Sequence, residues 1–177
     1  MYNDSNDVVV VTVTPGNALD LAALAALNVP VDHIFGAPGA PGWALWGWFD
    51  ADTLNASGRT RTVGGDTFRR PALGAEGFDL EAVLTYCMFD EDGNLNLFAI
   101  WSLWGDVNDD DVVDQHDLNA LIAFVALQGV ATVLINQVAA NVVVDGAVCQ
   151  LDQNLLTQYV GLIGVFPVNP IVLGVQP

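Results

Sequence analysis

The pattern of apolar and polar positions changes its character near residue 104. Before that point, apolar and β-branched residues form short runs that are separated by glycine, proline or acidic residues: 8–14, 43–49, 81–89 and 95–104. Such runs are typical of β-strands joined by turns. An Asp-Gly pair in the short acidic connection between the last two runs predicts a hairpin. The N-terminal part is therefore expected to be mainly β.

After residue 104, two acidic loops are each followed by apolar residues at helical spacing. The first loop covers 106–117 and the second covers 141–152, a separation of 35 residues. Aligning 105–129 with 140–164 gives ten identical residues, so this part of the chain contains an internal duplication. Apolar residues at spacings of three and four predict one amphipathic helix behind each loop. The C-terminal part is therefore expected to be all-α.

The first loop carries oxygen-bearing side chains at the spacing of a calcium loop. Five of them occupy positions 1, 3, 5, 9 and 12 of the twelve residues: Asp106, Asn108, Asp110, Asp114 and Asp117. Val112, at position 7, would contribute its backbone carbonyl. Calcium takes six to eight oxygen ligands, and this spacing turns alternate side chains toward one ion. Position 6 usually needs a positive φ; it is Asp111 here, and aspartate tolerates that region better than most residues.

The second loop retains fewer of these oxygens. Its predicted ligands occupy positions 1, 5, 7 and 12, where position 7 acts through its carbonyl: Asn141, Asp145, Ala147 and Asp152. Gly146 stands at position 6, as the loop requires. Val143 and Cys149, at positions 3 and 9, are not useful calcium ligands. The residues therefore predict one calcium ion in the first loop and leave the second loop open between a bound and an empty state.

Residues 105–164 resemble a type I dockerin, whose repeats read roughly D-V-N-x-D-G-x-V-x-x-x-D-L before a helix. The matching pieces are Gly-Asp-Val-Asn at 105–108 with Asp-Leu at 117–118, and a weaker copy from Ala140-Asn141 to Asp152. The resemblance implies a pair of half EF-hands in an extracellular protein, which folds on calcium and binds a cohesin domain. It also implies that the exposed helix starts, Gln115-His116 and Gln150-Leu151, carry partner recognition.

The N-terminal half contains two segments that resemble internalin-type B-repeats, the β-grasp-like modules of bacterial surface proteins. These are GWALWGWF at 42–49 and LNLFAIW at 95–101, and an unrelated aromatic β core is the alternative. The predicted fold class is thus α+β. It comprises a mainly β, β-grasp-like domain at 1–104, a dockerin-like module of paired calcium loops and helices at 105–164, and an extended apolar tail at 165–177.

The charge is strongly asymmetric. The chain has 21 acidic residues, no lysine and only four arginines, which gives a formal net charge of -17. All four arginines lie in the stretch 56–75, which is interpreted as a loop with short extended pieces. This balance argues against a nucleic-acid partner, because phosphate binding requires a basic surface. No apolar run reaches the roughly 18–20 residues of a membrane helix.

The chain offers no recognisable catalytic constellation. Its only histidines, His33 and His116, fit neither a nucleophile nor a zinc spacing, so we do not expect an enzyme. Two functions are expected instead. The first is an extracellular, calcium-binding structural subunit that assembles with copies of itself into a filament or surface layer, with the arginines facing the acidic part of the next copy. The second is a cell-surface protein that docks onto a cohesin of a separate scaffold protein. Cys87 and Cys149 either form a disulfide or stay reduced.

Overall fold

The fold is α+β in a computed structural model that describes residues 10–26, 43–63, 65–127, 133–143 and 145–161. Small two-stranded sheets belong to the N-terminal part, and two helices pack together in the C-terminal part. The chain forms two compact units. The first unit comprises 1–34, 47–72 and 76–101, and the second comprises 35–46, 73–75 and 102–177. No described helix combines the length and apolar character that crossing a bilayer requires.

Two of the predicted apolar runs become strands. Strand β1 (Trp43–Asp50) pairs with strand β4 (Leu97–Leu103). A short helix α1 (Leu21–Ala26) lies before them, and helix α2 (Ala51–Ser57) follows β1 directly. The core of the first unit consists of buried apolar side chains from these elements and from Leu84, which lies outside them. These side chains are Leu24, Phe49, Leu54, Leu84 and Ile100.

The stretch of the N-terminal half that contains the four arginines forms a hairpin. Strands β2 (Arg59–Val63) and β3 (Asp66–Arg70) pair antiparallel, with Val63 opposite Asp66. Only two residues, both glycines, join these strands, and Gly65 has a φ of 100°. A two-residue connection of this kind needs positive φ, which glycine adopts without a steric cost. The stretch 56–75, interpreted as a loop with short extended pieces, thus contains two paired strands, and the Gly-Gly pair was the local signal for their hairpin.

The predicted hairpin over 81–104 was wrong in its first strand. The backbone of Leu84 pairs with a distant segment instead: Gly16 N donates to Leu84 O at 2.7 Å, and Leu84 N donates to Asn17 O at 2.9 Å. A 3₁₀ turn, Tyr86–Met88, follows. The strand predicted at 8–14 was also wrong for residues 10–14, which are irregular; residues 8 and 9 lie outside the described residues.

Two of the four arginines satisfy backbone carbonyls inside the first unit. Arg70 is only 3% exposed, and its Nη1 donates to the carbonyl oxygen of Trp101 at 2.7 Å. Arg59 Nη1 donates to the carbonyl oxygen of Pro71 at 2.8 Å. Arg69, by contrast, is exposed. At least two of the four arginines therefore stabilise the fold of the first unit.

Two backbone segments of the first unit approach closely at a pair of glycines. A Cβ placed on Gly77 would lie 3.1 Å from the Cα of Gly47 and 3.3 Å from the backbone N and O of Trp48. Phe78 N donates to the same Trp48 O at 2.6 Å. The contact involves backbone on both sides, so a side chain at Gly77 could be accommodated only by moving the strand.

The second unit is organised around helices α3 (Gln115–Ala126) and α5 (Gln150–Gly161), which pack against each other. A four-residue helix α4 (Gln137–Ala140) lies between them in sequence. Their core is one apolar cluster: Val107, Leu118, Leu121, Ile135, Ala140, Val148 and Leu156. The two helices predicted behind the acidic loops are therefore present. The tail predicted at 165–177 lies outside the described residues.

Candidate metal centre

The first acidic loop brings three carboxylates together. Asp106, Asp110 and Asp117 each offer an oxygen, and these oxygens all lie within 4.8 Å of one another. Asp106 and Asp117 are completely buried, whereas Asp110 is exposed. Ionised carboxylates at such separations repel one another unless a cation or a proton compensates them. The cluster therefore has the composition and spacing to hold a metal ion.

The loop folds tightly around Asp106. Its Oδ1 accepts a hydrogen bond from Asp110 N, and its Oδ2 accepts one from Asp111 N, both at 2.9 Å. This wrapping requires left-handed backbone at Asp109, with a φ of 60°, and at Asp111, with a φ of 74°. The prediction that Asp111 takes a positive φ in place of the usual glycine is thus confirmed. Aspartate is among the residues that adopt this region most readily.

Asp117 ties both ends of the loop to the start of α3. Its Oδ1 accepts from Asn108 N at 3.1 Å, and its Oδ2 accepts from Asp114 N at 2.8 Å. Asp117 lies in the first helical turn, where a carboxylate is favoured by the positive end of the helix dipole. One side chain therefore closes the loop and caps the helix behind it.

Burial disfavours the charged form of these two carboxyls. It raises the pKa of Asp106 to about 7, against the opposing effect of the two backbone N–H groups that the carboxylate accepts from. Nearby negative charge on Asp109 and Asp117 adds to the rise. Burial also raises the pKa of Asp117. Asp106 consequently holds a proton near neutral pH unless a cation takes its place.

The remaining predicted ligands of the first loop lie around this cluster. Asn108 Oδ1 accepts from Asp110 N at 3.0 Å, and Val112 N donates to Asp110 Oδ1 at 3.0 Å. Asp114 lies outside the three-carboxylate cluster and caps α3 instead, where it accepts from His116 N at 2.6 Å. The bonds to His116 lower the pKa of Asp114. Position 9 of such loops often reaches the ion through water, so this placement agrees with a ligand role of that indirect kind.

The second loop repeats several of the hydrogen bonds that fold the first. Asp152 is completely buried; its Oδ1 accepts from Val143 N at 2.9 Å, and its Oδ2 accepts from Cys149 N at 2.8 Å. These are the two bonds that Asp117 makes at the corresponding positions of the first loop. Asn141 Oδ1 accepts from Asp145 N at 3.4 Å, as Asp106 does from Asp110. The duplication seen in the sequence therefore extends to the backbone of the loop.

The donor set of the second loop differs from that of the first. Oxygens of Asp145 and Asp152 and the sulfur of Cys149 lie within 4.8 Å of one another. Ala147, the predicted carbonyl ligand, is exposed, and its N donates to Asp145 Oδ1 at 3.2 Å. Cys149 was not among the predicted ligands, although its alignment with Asp114 was a signal. Its thiol is free and suits softer ions than calcium.

Comparison of this chain with protein-family models, with curated proteins and with solved structures finds no match. The resemblances to dockerins and to internalin-type B-repeats stay predictions.

Proposed function

We propose that this chain is an extracellular, calcium-binding structural subunit whose dockerin-like pair of loops and helices folds around calcium. The observation that carries the proposal is the cluster of Asp106, Asp110 and Asp117, because two of these carboxylates are completely buried. The chain has no lysine or arginine from residue 71 onward that could neutralise them. A divalent cation would supply that charge where the loop is most acidic.

Calcium is the divalent ion that this loop suits best. Its twelve residues offer oxygens from several side chains and from the Val112 carbonyl, and calcium accepts six to eight ligands in flexible geometry. Magnesium requires near-ideal octahedral geometry and keeps several waters. Extracellular calcium modules work with dissociation constants of about 10⁻⁴–10⁻³ M, so even a weakened loop would be occupied outside the cell. The second loop is proposed as a weaker site.

We further propose that the subunit assembles with copies of itself. The second unit leaves several large apolar side chains exposed by 39–64%, which a neighbouring protein would cover: Val112, Ile122, Leu127, Leu134 and Leu151. Fewer arginines are left for the charge-pairing contact proposed from the sequence, because Arg59 and Arg70 donate to carbonyls of their own unit. Arg69 remains an exposed cation for such a contact.

The second candidate is a dockerin-bearing surface protein that docks onto a cohesin. One observation favours it: Leu151 is 49% exposed at the start of α5, where the dockerin resemblance expects partner recognition. This candidate requires the pure chain to stay monomeric in calcium. Self-assembly requires the opposite.

The test is the size of the purified full-length chain in excess calcium and after chelation, measured by light scattering and negative-stain imaging. Ordered particles that dissolve on chelation would support the self-assembling subunit. A monomer in both conditions, whose helices melt at lower temperature after chelation, would support the docking protein. Asp117→Ala should abolish the calcium response, whereas Glu91→Ala, which removes an exposed carboxylate outside both loops, should leave it intact. If calcium does not change the stability of the parent chain, both candidates are contradicted.

A further inference from the structure

A buried polar chain connects the first metal loop to the segment between the two repeats. Ser102 and Asn136 are both completely buried. Asn136 Nδ2 donates to Ser102 Oγ at 2.7 Å, and Ser102 Oγ donates to Asp109 Oδ1 at 3.2 Å. Buried hydroxyl and amide groups are costly unless their partners are in place, so such a chain fixes the orientation of each member.

Asn136 also forms hydrogen bonds with the backbone of the first loop and with the backbone of α4. Its own N–H donates to the carbonyl oxygen of Val107 at 2.9 Å, which is position 2 of the first loop. Its Oδ1 accepts from Ala139 N at 3.2 Å and so caps α4. Gly105 N donates to Ala139 O at 2.9 Å. Two backbone hydrogen bonds thereby join the start of the first loop, at Gly105 and Val107, to Asn136 and Ala139.

Asp109 is the loop residue at which this buried chain ends. It occupies position 4, between the predicted ligands Asn108 and Asp110, and its φ of 60° is unusual for a residue with a side chain. Such a conformation persists only where the surrounding structure holds it. The hydroxyl of Ser102 holds the side chain of Asp109, and with it the direction in which the two neighbouring ligands leave the backbone.

We propose that Ser102 and Asn136 are positioning residues for the first metal loop, which they hold through Asp109 in the conformation that binds the ion. The inference rests on the proposed function, since it takes the first loop to be the calcium site. Asp109 is not a predicted ligand, so its contribution to affinity passes through Asn108 and Asp110. The chain Asn136–Ser102–Asp109 thus acts as a support built outside the loop.

A double-mutant cycle on the full-length chain tests the proposal by calcium titration calorimetry. Ser102→Ala should weaken calcium binding about tenfold, as expected for one hydrogen bond to a carboxylate. Asp109→Gly removes the acceptor but tolerates the positive φ, and in that background Ser102→Ala should have no further effect. The matched control is Asp111→Gly, which also removes a carboxylate at a positive φ. There Ser102→Ala should retain its tenfold effect.

The outcomes separate the inference from the proposed function. Equal effects of Ser102→Ala in the parent, Asp109→Gly and Asp111→Gly chains would overturn the positioning role while leaving the calcium site in place. Absence of calcium binding by the parent chain would overturn the proposed function itself. If Ser102→Ala prevents folding, the two glycine variants still decide: Asp109→Gly should bind more weakly than Asp111→Gly, and equal affinities would refute the inference.

Discussion

Neutralising Asp106 should have opposite effects on stability with and without calcium. Asp106→Asn keeps the size of the side chain but removes a negative charge from a completely buried position. Without a cation, that charge is a cost to the folded state, so the variant should be more stable than the parent at pH 7. With calcium, the same charge is a ligand, so the variant should be less stable.

The magnitude in the metal-free protein follows from the pKa. Burial raises the pKa of Asp106 from 3.8 to about 7, which at about 1.4 kcal/mol per pH unit destabilises the folded state by about 4 kcal/mol at pH 7. The asparagine loses one of the two oxygens that accept from Asp110 N and Asp111 N, at a cost of about 1–2 kcal/mol. The net gain for the variant should therefore be about 2 kcal/mol.

The pH dependence has a definite sign. Because the pKa of Asp106 is raised in the folded state, the folded chain binds more protons than the unfolded chain between about pH 4 and pH 7. The stability of the metal-free parent should fall as the pH rises through that window and level off above it. Calcium must displace the proton below pH 7, so its affinity should fall by up to about tenfold per pH unit.

Urea unfolding followed by circular dichroism at 222 nm measures these effects on the helical second unit. Parent and variant are compared at pH 5 and pH 7, in chelator and in calcium at 100 times its dissociation constant, which stabilises the parent by about 2.7 kcal/mol. Asp114→Asn is the control in chelator, because the pKa of Asp114 is lowered and its neutralisation should give no gain. A variant that is less stable than the parent in chelator at pH 7 would show that the buried charge of Asp106 is not the cost expected here.

Three further predictions concern both units. Arg70→Ser should lower the free energy of unfolding by about 2–3 kcal/mol, because it removes a buried hydrogen bond from a charged group. Arg69→Ser is the control: this side chain is exposed, so the change should be less than about 0.5 kcal/mol. Equal values in urea titrations would contradict the internal role of Arg70. Gly77→Ala should cost about 1–3 kcal/mol, because its Cβ would meet opposing backbone at 3.1 Å. Gly161→Ala is the control: in helix α5, a Cβ at this position would meet no atom of the described residues within 4 Å, so the change should be neutral or stabilising when thermal melts of the two variants are compared. Cys149→Asp supplies an oxygen at position 9 of the second loop and should tighten the weaker calcium-binding step that calorimetry measures. An unchanged affinity of that step would argue against calcium in the second loop.

The local geometry of the acidic loops was predictable because their contacts are short in sequence. The bonds that fold the first loop join residues at most nine positions apart, as between Asp117 and Asn108. Spacing alone therefore indicated the clustered carboxylates, the positive φ at Asp111 and the helix that follows. The placement of Asp114 outside the carboxylate cluster was not predicted, because the spacing does not distinguish a ligand from an aspartate that caps the following helix.

Other features depend on partners that no local pattern identifies. The run around Leu84 has the composition of a hairpin strand, yet its backbone pairs with Gly16 and Asn17. Arg70 belongs to a charged stretch, yet it is buried against a carbonyl 31 residues away. In the first loop, by contrast, Asp106, Asp110 and Asp117 lie within twelve consecutive residues, so the spacing in the sequence was enough to predict that these carboxylates cluster. Strand partners, the use of the arginines and the support of Asp109 by Ser102 were decided by the tertiary structure, because a buried polar or backbone group must find its partner wherever the fold brings one.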